Sequence, residues 1–366
     1  MDVEALGFQC GGAKGLAYAG ALTQLEFYGM DISKIKHFAG TGTGAQIAAL
    51  LAFGYTPSEL ERVLKKHGNA KQIDTNWGVI RKSYRLMTTF GSFSNKRVKR
   101  HIDALLTEKS GHSDTSFLQL WNKRKVHLRI TGTCLTTGEL VYFDYKLTPN
   151  MPIRTAIHIS GATPFQSEAV EYQDKYYVDG GLICNIPMDV FESKNTVFLE
   201  LREPDVKQRN EIHNILQFAY SVVNTTSSHC NRLMDANATL RNHTNVKIIP
   251  IAAPSIASMK KTLDAQTKLH LVQQGRHAVS YYMQRRLIQR LIRTDSVERE
   301  EYGEAADMIP QHSEPIVRAR QMAAPEPKPK PKPKPIWKHL VGVMMVAGFV
   351  FVKTRHRPRR AQCVFK

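Results

Sequence analysis

Three short clusters carry the residue types of a hydrolytic site: Cys10-Gly11-Gly12-Ala13-Lys14-Gly15, Gly40-Thr41-Gly42-Thr43-Gly44 and Asp179-Gly180-Gly181. In the first, consecutive glycines let the chain turn tightly and present backbone N–H groups at the start of a helix. That arrangement receives an anion or a developing oxyanion. A dinucleotide site uses a similar loop, but its fingerprint needs G-x-G-x-x-G and an acidic residue about 20 positions on. Here Cys10 stands where the first glycine belongs, and residues 31–37 offer only Asp31. The second cluster has the spacing of a nucleophile elbow, G-x-S-x-G, whose central side chain is projected from a sharp strand-to-helix turn. Its central residue is Gly42, which has no nucleophilic atom. The third supplies a carboxylate, Asp179, which serves either as a turn residue before two glycines or as a base. Cys10 is itself of a nucleophilic type and ends the strand beside the elbow. With no base visible to take its proton, it reads as an inert buried thiol.

These clusters do chemistry only if secondary structure brings them together. Residues 5–9 and 35–39 are short apolar runs that end in glycine and read as strands, each followed by a helical pattern, at 16–28 and 45–53. Thr56, Pro57 and Glu59 have the order of a capping box with proline at the first helical position. Ser94 is placed to cap a helix carrying Val98, Ile102, Leu105 and Leu106. Residues 126–134 and 139–143 read as strands around a Thr137-Gly138 turn, with further strands at 176–178, 196–201 and 246–251. Strands alternating with helices predict an α/β fold, a mostly parallel sheet with helices on both faces. Residues 206–293 are richer in helical pattern. Leu269, Val272, Gln273, Arg276, Val279, Ser280, Met283, Leu287 and Leu291 recur there at helical spacing, and this predicts an amphipathic helix packed on its own domain.

The three clusters, in this order and each after a strand, resemble the patatin-like phospholipases, or lipid acyl hydrolases. That family carries an oxyanion loop like G-G-G-x-[KR]-G, then G-x-S-x-G, then D-G-[AG]. The similarity extends to the small, apolar helix at 45–52, to residues 157–165, which are similar to the family's A-S-x-A-x-P stretch, and to the run from Asp179 to Asn185 and Pro187. It covers about residues 3–201. The resemblance implies a three-layer α/β/α patatin-like domain over 1–205 and hydrolysis of lipid acyl esters by a Ser–Asp dyad, with no catalytic histidine, no cofactor and no metal. It places Asp179 as the base, Gly42 at the nucleophile position, and Gly11, Gly12 and Ala13 as the oxyanion donors. Cys10, Lys14, Gly15, Gly40, Thr41, Thr43, Gly44, Gly180 and Gly181 are the remaining motif positions, with Lys14 at the family's basic position and His158 and Ser160 shaping the pocket. Two positions depart from the pattern. Cys10 replaces the first loop glycine, and Gly42 replaces the elbow serine, which removes the family's acyl-enzyme route. Thr41 and Thr43 do not substitute, because an elbow projects one residue into the site. Glycine suits the strained backbone of that turn, so the fold is expected to survive, and Gly42→Ser is expected to restore hydrolysis.

Composition bounds the rest. The chain has 366 residues, of which 42% are hydrophobic and 23% charged, enough to bury a core. Five cysteines, none in a CxxC pair, argue against a disulfide framework or a zinc ribbon. The net charge of +19 is uneven: residues 328–366 hold seven lysines and four arginines and no acid. The excess is therefore largely a basic tail, and no nucleic-acid module accompanies it. An acidic residue follows Met1 directly, so no secretory signal is read at the start. Residues 294–335 read as a polar linker that ends in PEPKPKPKPKP, an extended spacer. Thirteen uncharged residues at 340–352, extended by 336–339, read as a short membrane anchor at 336–352, followed by a basic tail at 353–366. The expected protein is a patatin-like, lipid- or phospholipid-binding domain with impaired or absent hydrolysis. It is expected to lie in the cytosol and be held to an intracellular membrane by its C-terminus. The alternatives are an active lipid acyl hydrolase in which Gly42 is not the native residue or is compensated, and a non-catalytic membrane scaffold.

Overall fold

Apolar runs too short to bury a helix face, each stopped by glycine, become the central strands. The computed structural model describes residues 2–66, 77–94, 96–185, 187, 191, 194–202, 212–240, 245–253 and 263–301. Strand β1 (Ala5–Phe8) leads to helix α1 (Leu16–Phe27), and β2 (His37–Gly40) leads to α2 (Thr43–Ala52) and α3 (Pro57–Lys66). Next come α4 (Trp77–Thr89), β3 (Gly91–Phe93), α5 (Lys96–Ser110), α6 (Phe117–Arg124), β4 (His127–Cys134) and β5 (Glu139–Phe143). Helix α7 (Ile153–Ser160) precedes β6 (Phe165–Ser167), β7 (Val170–Tyr172) and β8 (Lys175–Asp179). The described chain closes with β9 (Thr196–Arg202), α8 (Ile215–Leu240), β10 (Val246–Ala252) and α9 (Ala265–Glu301).

The main sheet has the order β10-β9-β1-β2-β4-β8-β7, with β5 also paired to β4. Its first five strands are parallel, whereas β5, β7 and β8 run antiparallel to their neighbours. Helices cover both faces, giving the expected three-layer α/β/α architecture. Helix α1 is buried on every side from Leu16 to Leu22, as a helix between two layers must be. Its Tyr18 ring meets Phe8 of β1 at 5.6 Å, and α9 lies on it with Leu271, Val272 and Val279 buried. The capping box at α3 forms as its sequence requires: Glu59 N–H donates to Thr56 Oγ1 (3.2 Å) and Thr56 N–H to Glu59 Oε2 (2.9 Å). Ser94 Oγ accepts from Lys96 N–H at 3.4 Å at the start of α5.

Several expectations shift. The strand expected at 35–39 begins at His37, because Asp31 caps a 3₁₀ turn, Ile32–Lys34, by accepting the Ser33 N–H. Strands β3, β6 and β7 are three residues each, too short to show alternation in sequence. The largest correction concerns 206–293, expected as a helical extension of a domain ending at 205. That stretch holds β10, which pairs with β9 over seven residues and completes the sheet edge, and α9, which covers α1. The strand expected at 246–251 is thus present despite Pro250, since an edge strand tolerates proline where one side of its backbone needs no partner. The expected stripe on α9 is only partly inward: Val272 and Val279 are buried, whereas Leu269 and Leu287 are exposed. Helix α9 also runs on to Glu301, through the first residues expected as linker. The rest of that linker, the anchor at 336–352 and the basic tail at 353–366 lie outside the described residues. Among the described residues, no helix is long and apolar enough to cross a membrane.

Candidate functional site

Strand register builds the site. Phe8 of β1 is paired with Gly40 of β2, and Thr41 N–H donates to Phe8 O at 3.1 Å. Cys10 and Gly42 each lie two residues beyond that pair, so the two chains leave the sheet level with each other. Asp179 arrives from the opposite direction, since β8 is antiparallel to β4. It pairs with Gly132, two residues past the Ile130 that faces Gly40, and so reaches the same end of the sheet.

Gly42 is the N-cap of α2 with φ 58° and ψ −121°, a conformation essentially reserved for glycine or for a strained functional residue. The elbow is therefore kept without its side chain. The flanking glycines are required by close approach: a Cβ on Gly40 would lie 2.4 Å from the Gly44 backbone, and one on Gly44 2.2 Å from Phe8 O. Thr41 is fully buried and its hydroxyl is 2.7 Å from that of Thr131 of β4. Thr43 turns its methyl against the oxyanion loop, where a Cβ on Gly15 would meet it at 2.6 Å. Neither threonine stands in for the missing serine. Gly42 N–H donates to Ser160 Oγ at 2.9 Å, so Ser160 holds the elbow from the end of α7.

Gly12–Gly15 form a 3₁₀ turn, with Gly12 at φ 52° and the Lys14 N–H donating to Gly11 O at 3.0 Å. This turn carries Gly12 and Ala13 toward the start of α2, and Lys14 is buried. Asp179 is 6% exposed. It caps the turn of Gly180 and Gly181, with Oδ1 accepting the Gly181 N–H at 2.8 Å, while its own N–H donates to Ala162 O and its carbonyl accepts from the Thr133 hydroxyl. Burial pushes its carboxyl up to about 6, against the opposing pull of the Gly181 N–H, the Cys10 thiol and the Thr163 hydroxyl. Helix α8 steadies the same turn: Ser227 Oγ (2.6 Å) and Asn231 Nδ2 (3.3 Å) donate to Gly181 O.

Cys10 lies inside this constellation. Its thiol donates to Asp179 Oδ2 at 3.7 Å. A Cβ placed on Gly42 would fall 2.3 Å from Cys10 Sγ, 2.9 Å from Cys10 Cβ and 3.5 Å from Asp179 Oδ2. The sulfur thus fills the volume that an elbow side chain would need. Burial, then the Asp179 charge, push the thiol up to about 12, while the Thr43 and Gly12 backbone N–H groups pull it down. The Cys10 thiol is thus hydrogen-bonded to the Asp179 carboxylate, and the side chains of the two departing positions compete for one volume. Gly42→Ser by itself would not restore a dyad, because the added atoms meet Cys10. Sequence reasoning also missed Thr163, Ser227 and Asn231. They act on Asp179 and its turn across long sequence separations; Thr163 is a variable position of the 157–165 stretch, and no local motif marks Ser227 or Asn231.

A family model for patatin-like phospholipases matches residues 6–192. A probable lipid hydrolase, 463L, of Invertebrate iridescent virus 6 is 29% identical over 182 residues, covering 49% of this chain and 60% of its own length. The protein R571 of Acanthamoeba polyphaga mimivirus is 26% identical over 282 residues, 75% of this chain and 91% of its own. The cGAMP-activated phospholipase of Vibrio cholerae is 26% identical over 235 residues, 57% of this chain and 63% of its own. The matched span holds the oxyanion turn, the elbow and the Asp179 turn, all at one end of the sheet, and on that ground the chain belongs to the patatin-like phospholipase family.

Proposed function

We propose that this chain engages lipid acyl esters at the end of the sheet bounded by the Gly12–Gly15 turn, Gly42 and Asp179, and that the family's Ser–Asp route is closed in it. The observation that carries the reading is Gly42 at φ 58°: an elbow that keeps its backbone and lacks its hydroxyl, beside a buried carboxylate and an oxyanion turn. Ile215, Phe218 and Val222 of α8 support a lipid partner. They are 76%, 53% and 50% exposed at i, i+3, i+7 spacing, on the helix that holds the Asp179 turn. An exposed apolar stripe at helical period suits an acyl-chain or bilayer surface. We further propose that 336–352 keeps the domain at an intracellular membrane.

The test uses purified full-length chain and phosphatidylcholine–phosphatidylglycerol vesicles. Expected are vesicle flotation, at least tenfold weaker flotation for Phe218→Asp/Val222→Asp, loss of membrane attachment in cells on deleting 336–366, and no labelling by a serine-directed fluorophosphonate. A chain that ignores vesicles, or one labelled at a serine in the site, overturns this reading. A second reading, a hydrolase compensated at another residue, is favoured by one observation: Cys10 Sγ occupies the vacated nucleophile volume.

A further inference from the structure

We infer that the nucleophile has moved from the elbow to the oxyanion loop: Cys10 attacks the lipid ester, with Asp179 as its general base. The inference rests on the lipid-ester site proposed above. Cys10 Sγ has the surroundings that a hydroxyl projected from residue 42 would have. The Asp179 carboxylate accepts its proton at 3.7 Å, and the Thr43 and Gly12 backbone N–H groups face it from the N-terminus of α2 and from the oxyanion turn. The exchange is reciprocal: a side chain at residue 10 requires glycine at 42, because a Cβ there would approach the sulfur to 2.3 Å. Cys134 and Cys184 are also buried, but they lie in β4 and beyond the Asp179 turn.

The chemistry balances with water as the sole co-reactant. Asp179 Oδ2 takes the thiol proton as the sulfur attacks the ester carbonyl carbon. The new S–C bond places the carbonyl electron pair on an oxyanion, stabilised by the backbone N–H groups of the Gly12–Gly15 turn. Collapse breaks the C–O bond, and the Asp179 proton goes to the departing alkoxide, leaving an acyl thioester on Cys10 and an alcohol or lysolipid. Water then gives a proton to Asp179 and attacks the thioester carbonyl. The C–S bond breaks, the thiolate recovers the proton from Asp179, and the fatty acid leaves. A neutral thiol at rest suits this general-base route, since the proton leaves only as the bond forms. Thiols are also strong nucleophiles in their own right.

The experiment compares the full chain with Cys10→Ala, Cys10→Gly/Gly42→Ser and a Cys230→Ala control. Hydrolysis of a p-nitrophenyl acyl ester and of phosphatidylcholine vesicles is measured, and quenched reactions are mapped by peptide mass spectrometry. Expected are turnover by the full chain, a hydroxylamine-labile acyl adduct on the Cys10 peptide, and block by iodoacetamide but not by fluorophosphonate. The Cys230→Ala control should behave as the full chain. Cys10→Ala should lose kcat by about 10³-fold or more and lose the adduct while still binding vesicles. Cys10→Gly/Gly42→Ser should regain turnover and become fluorophosphonate-sensitive at residue 42. Undiminished turnover by Cys10→Ala, an adduct on another residue, or a folded, lipid-binding full chain with neither turnover nor adduct overturns the assignment. If the exchanged variant hydrolyses while the full chain forms no adduct, the lipid-ester site stands and only the Cys10 role falls. If neither chain binds or cleaves lipid, both fall.

Discussion

Substituting Gly42 by alanine should destabilise the fold by two separable amounts, and only one of them depends on Cys10. The backbone at φ 58°, ψ −121° is one that L side chains rarely adopt, which costs about 1–3 kcal/mol once a Cβ is present. That Cβ would also lie 2.3 Å from Cys10 Sγ and 2.9 Å from Cys10 Cβ, an overpacking worth about another 1–3 kcal/mol. Gly42→Ala alone should therefore cost about 2–6 kcal/mol. Cys10→Gly should cost about 1–3 kcal/mol by emptying buried volume. In the double variant the new methyl occupies the space the thiol vacates, so the steric part disappears and the backbone part remains. The double-mutant cycle should show a favourable coupling of about 2–6 kcal/mol, the steric cost plus that of the refilled volume. Urea unfolding of the four chains, followed by far-ultraviolet circular dichroism at constant m, reads this directly. Contacting residues couple and distant ones add within about 0.5 kcal/mol. An additive cycle would show that Cys10 does not occupy the elbow volume, and a stable Gly42→Ala would remove the steric premise altogether.

Asp179→Asn should stabilise the protein at neutral pH while abolishing any hydrolysis. Burial raises the folded carboxyl to about 6, so its stabilising share is complete below about pH 4 and is lost as pH rises through 6. Thermal unfolding from pH 4 to 8 should find the parent losing about 3 kcal/mol relative to the asparagine variant, and parallel curves would contradict the buried carboxylate. Hydrolysis should rise with pH through about 6 as Asp179 ionises, and a profile flat from pH 5 to 8 would exclude it as the base. Ser160→Ala removes the acceptor of the buried Gly42 N–H and should cost about 1–3 kcal/mol by urea denaturation, with Ser160→Thr less harmful; an unchanged midpoint would show that the elbow does not need that bond.

Local sequence determined much of this protein because some of its constraints are local. Glycine after a short apolar run ends a strand and frees backbone N–H groups wherever it occurs, so the Gly11-Gly12 loop, the Gly40–Gly44 spacing and the Asp179 turn were legible without coordinates. The capping box of Thr56 and Glu59 was legible for the same reason, since its partners are three residues apart. Family resemblance rested on the order of these local signals, and it also marked Gly42 as a missing nucleophile. What local pattern could not carry was relation across the sheet. Residues 10, 42 and 179 meet only because β1 pairs with β2 in one register and β8 returns antiparallel against β4. The strand at 246–251 was legible, but its place at the sheet edge is defined by its neighbour β9. The two departures from the motif therefore looked independent in sequence, a tolerable cysteine and a damaging glycine. Tertiary structure decides that they share one volume, because a Cβ at residue 42 would lie 2.3 Å from a Cys10 sulfur that donates to the buried Asp179 carboxylate at 3.7 Å.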